Sequence, residues 1–260
     1  MGKVIFFDVD GTLYRSDYLV PKSTVSAIYK LIENGHLPMV CTGRGACTLP
    51  VQVEVLPLYG GVRACGTYVA VGPKILVDAG VEGPDVSTII NIMRNYQCSF
   101  FVENSDHFYC DIDFSSDRVK KIVNGMQQRY IARFRPLSEL PDKISKMTGY
   151  PEDRSCLPAL IKELSPWFDV ITHDEYDYIE IVPRGYSKGT GVKQIIKELG
   201  VSVGDTYGFG DSGNDIPMLE AVGTAVVMGD APDDLKARYM TTDSLYSDGL
   251  AKALLKLGLI

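Results

Sequence analysis

Val4, Ile5, Phe6 and Phe7 form an apolar run of strand length that ends in Asp8, Asp10, Gly11 and Thr12. A short unbroken apolar run bounded by turn residues fits a strand buried on both faces of a parallel sheet. Val25, Ile28, Leu31 and Ile32 then recur at helical spacing, and the pattern stops at Asn34-Gly35, which predicts a helix over 22–33. Leu37 to Cys41 reads as a second strand. The same grammar returns after Pro183: a helix over 188–199 closed by Gly200, a strand over 206–210, a helix over 215–222 and a strand over 225–228. Strands alternating with helices predict an α/β fold, a Rossmann-like, doubly wound parallel sheet with helices on both faces.

The middle of the chain is patterned differently. Helix-like segments at 85–96, 117–130 and 154–164 are interleaved with short apolar runs at 99–103 and 107–112, separated by the turn-like Asn104-Ser105-Asp106. That arrangement predicts a hairpin, and 176–182 supplies another strand. Residues 83–183 are therefore expected to form an inserted α+β domain on its own small sheet, with 1–82 and 184–260 as the α/β core.

Composition narrows the classes. The 260 residues are 45% hydrophobic and 23% charged, ordinary for a globular protein, with a formal charge of -7. The acidic balance argues against a nucleic-acid or anionic-membrane surface, although a local basic pocket is compatible with it. The first residues lack the apolar core and cleavage site of a secretory signal, and no stretch approaches the roughly 18 apolar residues of a membrane span. The expected location is cytoplasmic. Cys41, Cys47, Cys65, Cys98, Cys110 and Cys156 show no CxxC pairing, so they read as free thiols, and with only His36, His107 and His173 to help them a zinc site is not expected. Cys41 beside the second motif is not expected to be a cysteine nucleophile.

Four segments carry candidate chemistry. Asp8 and Asp10 stand at a strand's C-terminal end, where open α/β sheets bind ligands, and a carboxylate pair there can hold a hard cation while one member acts as nucleophile. The same residues can also simply form a turn. A calcium loop of the EF-hand kind fits poorly, because its glycine falls sixth and its glutamate twelfth. Thr42 and Gly43, again after a strand, can donate to a phosphate oxygen or make a plain turn. Lys188 stands just inside a helix start at Ser187, where a cation opposes the helix dipole; a bound anion would remove the conflict, and the alternative is an ordinary solvated lysine. Gly208 to Asp215 ends a further strand, and there Asp211 can ligate a metal while Asp215 orients a neighbour such as Lys188. Four strand or helix ends bearing the same chemistry make coincident turns a poor explanation.

In that order, Asp8-Val9-Asp10-Gly11-Thr12, Thr42-Gly43-Arg44, Lys188 and Gly210-Asp211-Ser212-Gly213-Asn214-Asp215 resemble the four motifs of haloacid dehalogenase superfamily phosphatases. The Cof-type branch is most similar, since it carries a cap domain between the second and third motifs, where this chain has its insert. The segments Val226 to Lys236 and Ser247 to Leu250 are also similar to that branch. The resemblance implies that Asp8 is the nucleophile, forming an aspartyl phosphate, and that Asp10 protonates the leaving oxygen and later deprotonates water. It implies Mg2+ held by the Asp8 carboxylate, the Asp10 carbonyl and Asp211, with Asp215 behind them. Thr42, Gly43, Lys188 and Asn214 would grip the phosphoryl oxygens. Arg44 could contact the leaving group or pair with an acidic residue of the core. Cys65-Gly66-Thr67 replaces the branch's usual Asn-Gly-Ala turn, which puts local substrate contacts in question.

The implied activity is hydrolysis of a small soluble phosphate ester, a sugar phosphate by preference, with the cap setting specificity. Residues near Asp174, Glu175 and Tyr176 are candidates for that role. Alternatives are phosphoryl transfer between two sugar positions, as in related mutases, and a non-catalytic binding or regulatory role, which would have no need of the nucleophile. The expected partner is the small-molecule ester, without nucleic acid or membrane, for a monomer or weak homo-oligomer.

Overall fold

A computed structural model describes residues 2–17, 19–82, 84–129, 133–141, 143–173 and 177–260. The strands are β1 (Val4–Phe7), β2 (Leu37–Cys41), β3 (Gly60–Arg63), β4 (Tyr68–Val71), β5 (Lys74–Asp78), β6 (Val81–Glu82), β7 (Cys98–Glu103) and β8 (Phe108–Cys110). They continue with β9 (Phe134–Pro136), β10 (Lys143–Ile144), β11 (Lys146–Pro151), β12 (Phe168–His173), β13 (Tyr178–Pro183), β14 (Thr206–Gly210), β15 (Thr224–Val227) and β16 (Met240–Thr241). The chain divides into two compact units: Met1–Gly43, Leu49–Val77 and Ser187–Ile260 form the first, and Arg44–Thr48 with Asp78–Tyr186 the second.

The first unit is an eight-stranded sheet in the order β16-β15-β14-β1-β2-β3-β4-β5. Pairing is parallel from β16 through β3 and antiparallel between β3 and β4. The parallel sheet expected from the sequence thus carries an antiparallel edge. Alternate residues of the central strands enter two separate cores: Ile5, Phe7, Val40 and Phe209 pack with Ile28, Leu31, Leu250 and Leu254 on one face, and Val4, Phe6, Met39 and Val62 with Val192, Ile195 and Leu219 on the other. This is why β1 reads as an unbroken apolar run. Each fully buried aliphatic or aromatic side chain contributes about 2 kcal/mol of burial free energy, so the sheet centre is the most rigid platform the unit offers.

The helices Lys22–Glu33 and Lys188–Leu199 and the strands β2 and β14 keep their expected bounds. The expected helix at 215–222 shortens to a 3-10 turn, Gly213–Asp215, and one α-turn, Ile216–Leu219. A capping box between Ser212 and Asp215 starts the turn early.

The second unit holds a six-stranded sheet, β12-β13-β11-β7-β8-β9, and the small pair β10-β6. One sheet face, through Phe100, Val102, Met147, Ile179 and Ile181, packs on the helices Pro84–Asn95 and Leu157–Leu164. Phe101, Phe108 and Cys110 of the other face meet Val119 and Val123 of the helix Asp117–Arg129. The expected hairpin forms between β7 and β8, where Asn104 Oδ1 accepts from the amides of Asp106 and His107 at 2.9 and 2.8 Å. Among the described residues no helix is long and apolar enough to cross a membrane.

Candidate active site

Asp211, Asp8 and Thr42 directly follow β14, β1 and β2, three hydrogen-bonded neighbours that run parallel. Parallel pairing forces their C-terminal ends to one edge of the sheet, so three motifs far apart in sequence become adjacent. The backbone ladder reaches into the site: the Asp8 amide donates to the Phe209 carbonyl at 2.9 Å and the Thr42 amide to the Val62 carbonyl at 2.9 Å. Asp8 and Thr42 are buried, whereas Asp10 is exposed.

After Asp8 the chain turns sharply, with the amides of Thr12, Leu13 and Tyr14 all donating to the Val9 carbonyl. Gly11 makes the turn possible. Its φ is +81°, and a Cβ there would stand 2.5 Å from Asp211 Oδ2, so only glycine allows this loop to lie against Asp211. Thr12 Oγ1 then donates to Asp211 Oδ1 at 2.9 Å.

Lys188 is the first residue of its helix. Ser187 caps that helix and forms a capping box with Thr190. The lysine is only 2% exposed. Its Nζ donates to Asp8 Oδ1 at 2.7 Å, Asp215 Oδ1 at 2.6 Å and Asn214 Oδ1 at 3.1 Å, which uses all three ammonium hydrogens. The helix-dipole conflict raised by the sequence is thus relieved within the protein by two buried carboxylates. Asp215 Oδ2 accepts the amides of Asp211 and Ser212 at 2.9 and 3.1 Å, so both its oxygens are bonded.

The titration of these groups follows from their burial. Burial pushes Asp8 well above the usual carboxylate range, aided by the charge of Asp215 and opposed by Lys188. Burial works against the Lys188 ammonium, but Asp215 and Asp8 outweigh it and hold the lysine well above its ordinary value. Asp211 is raised to about 7 by burial and by Asp215, against the hydrogen bond from Thr12. Cys41 is buried and its thiol is likewise pushed up, which keeps it protonated and unsuited to nucleophilic attack.

Asp8, Asp211 and Asp215 each bring a carboxylate oxygen within 4.8 Å of the others. Charge, oxygen donors and spacing fit a hard divalent cation. Because Asp215 is bonded through both oxygens, Asp8 and Asp211 are the better placed as direct ligands, with Asp215 behind them.

The loop Ala64–Gly66 lies beside the helix start. Ala64, Cys65 and Gly66 have φ of 47°, 53° and 99°, and a Cβ at Gly66 would meet the Ser187 carbonyl oxygen at 2.3 Å. The Cys65 amide donates to the Thr42 carbonyl at 3.2 Å, tying this loop to the second motif. Arg44 belongs to the second unit, where its Nη1 donates to the Thr48 carbonyl at 3.0 Å. Asp174, Glu175 and Tyr176 lie outside the described residues. Two contributors were given no role of their own in the sequence: the Thr12 hydroxyl, although it stands in the first motif, and the backbone amide of Ser212.

The haloacid dehalogenase-like hydrolase family matches residues 5–254, and the chain belongs to that family. Among its relatives, YkrA of Bacillus subtilis is 27% identical over 276 residues, covering 100% of this chain and 99% of that one. The HMP-PP phosphatase of Yersinia enterocolitica is 25% identical, covering 91% of this chain and 87% of its own. Among solved structures, the HAD subclass IIB sugar phosphatase BT4131 superposes with a TM-score of 0.85 at 23% identity, covering 99% of this chain and 100% of that one. That last likeness concerns the fold.

Proposed function

We propose that the protein is a Mg2+-dependent phosphomonoester hydrolase acting on small phosphate esters, sugar phosphates in particular, through an aspartyl-phosphate intermediate. One observation carries the reading: a buried carboxylate, Asp8, ends the central strand beside Asp211 while Lys188 bonds it at 2.7 Å. That desolvated, charge-matched setting at a strand end suits a nucleophile, and Asp215, likewise buried on the same lysine, differs in being bonded through both oxygens. Membership of a hydrolase family supports it, as does the activity stated in the Yersinia relative's name. The preference for sugar phosphates follows the family resemblance of the four motifs and is the finer part of the proposal.

An Asp8 oxygen attacks phosphorus while the bond to the leaving oxygen breaks, and Asp10 gives that oxygen its proton. A water then attacks the acyl phosphate, Asp10 takes its proton, and Asp8 is released as a carboxylate with inorganic phosphate. Lys188, Asn214, the Thr42 hydroxyl and the Gly43 amide stabilise the charge on the transferring group. Asp215 fixes Lys188 so that little reorganisation is needed during the reaction. Mg2+, held by the Asp8 and Asp211 carboxylates and the Asp10 carbonyl, would supply Lewis-acid stabilisation of phosphoryl charge.

The test is phosphate release from a panel of sugar phosphates, nucleotides and other small esters, with Mg2+ and with EDTA, beside Asp8→Asn. Release that requires Mg2+ and disappears in a folded Asp8→Asn protein supports the proposal. Normal turnover by that variant removes Asp8 as nucleophile.

A further inference from the structure

The hydroxyl of Thr12 takes no part in the reaction proposed above, yet the residue is fully buried beside the reacting groups. A threonine hydroxyl has a ready acceptor in the carbonyl three residues back. Thr67, Thr190 and Thr206 each use it, donating to the carbonyls of Ala64, Ser187 and Val203 at 2.9, 2.9 and 2.6 Å. Thr12 does not. The corresponding carbonyl, that of Val9, already accepts the amides of Thr12, Leu13 and Tyr14, and a carbonyl oxygen has only two lone pairs. The turn after β1 therefore leaves the hydroxyl without its local acceptor, and it reaches instead to Asp211 Oδ1 at 2.9 Å.

Asp211 and Asp215 are held in different ways. Asp215 has Lys188 on one oxygen and two backbone amides on the other. Among the described residues the Asp211 carboxylate accepts one hydrogen bond, the one from Thr12. Gly11 lies against the same carboxylate, since a Cβ there would stand 2.5 Å from Oδ2 and 2.9 Å from Oδ1. Contact of that kind limits where the group can go but has no direction, and the terminal torsion of an aspartate is broad. A hydrogen bond to an ionised oxygen supplies the missing direction.

We propose that Thr12 is a positioning residue for the divalent cation: its hydroxyl fixes the orientation in which Asp211 meets the ion. Donor and ligand follow β1 and β14, two paired strands of one sheet, so the orientation is set by the fold before any ion arrives. Groups that hold a metal ligand from behind contribute roughly 10- to 100-fold to affinity. The inference rests on the proposed reading of Asp211 as a metal ligand.

Thr12→Val keeps the side-chain volume and removes the donor; Thr12→Ser keeps the donor and removes a methyl group. Calorimetric titration of the three proteins with Mg2+, in the absence of any ester, reads the role directly. Thr12→Val should weaken Mg2+ binding about tenfold or more, and Thr12→Ser should stay within about twofold of the wild type because the bond survives. Thermal melting in EDTA follows the fold separately: a merely structural hydroxyl would shift that curve and leave the Mg2+ affinity of the folded protein unmoved. Unchanged Mg2+ binding by a folded Thr12→Val protein, equal weakening by Thr12→Ser, or no Mg2+ binding by the wild type overturns the proposal. If Thr12→Val does not fold, Thr12→Ala removes the donor without adding bulk and takes its place, with the same order required. A wild type that shows this order in Mg2+ binding but releases phosphate from no ester rejects the hydrolase reading and sustains the positioning role.

Discussion

Lys188→Met removes the one ammonium that Asp8 and Asp215 share, while leaving a side chain of similar length in a site that is 2% exposed. Taking one partner from a buried ion pair costs about 3–5 kcal/mol, because the remaining charge stays desolvated. Asp215 keeps two backbone amides on its other oxygen, so the unpaired charge falls mainly on Asp8. At roughly 2–4 °C per kcal/mol for a chain of this size, the first unit should melt about 6–20 °C lower. The single tryptophan, Trp167, packs in the second unit, and its fluorescence will report that unit. Hydrogen exchange in β1 and β14, followed with urea, is therefore the appropriate assay for the first. A loss below about 1 kcal/mol in those strands, within the range of exposed pairs, would refute the reasoning that this lysine is a desolvated counter-charge. On the proposed mechanism, phosphate release should collapse in the same variant, since the proposed nucleophile and the transferring oxygens lose their cation together.

Gly11→Ala places a methyl against Asp211 at a φ of +81°, so it should cost about 1–3 kcal/mol and reduce turnover; a normal melting curve with normal kcat would reject the close-approach argument. Asp211→Asn should raise the Mg2+ concentration for half-maximal activity about tenfold or more, because ligand charge sets affinity, and an unchanged Mg2+ titration would remove Asp211 from the metal site. In the second unit, burial alone would raise Glu180, but Lys146 and His173 outweigh it and hold the carboxyl well below its ordinary 4.5. A depressed folded value contributes stability that is complete above the unfolded value and is lost progressively as pH falls from there through the folded value. The Trp167-monitored transition should therefore weaken below about pH 4.5, while Glu180→Gln should be less stable at neutral pH and flatter in acid; equal slopes for the two proteins would exclude Glu180 as the source.

Local rules located the elements that local chemistry specifies. The helix at Lys188–Leu199 begins with a capping box and ends at Gly200 in the left-handed region, and both signals are written in adjacent residues. Strands β3 to β5 escaped notice because Gly60, Gly61 and Gly72 interrupt any apolar alternation. Their order comes from pairing with β2 and with one another.

The sequence by itself determined that chemistry stands at strand ends, because an apolar run needs no partner to be recognised and its first polar residues must follow it. It determined the α/β alternation of the core and the different character of the insert for the same reason. Which groups touch was decided only by the tertiary structure. Lys188 reaches Asp8 across 180 residues, Thr12 reaches Asp211 across 199, and Thr48 reaches Glu103 across 55. No periodicity encodes such contacts; parallel strand order and the burial of charge create them.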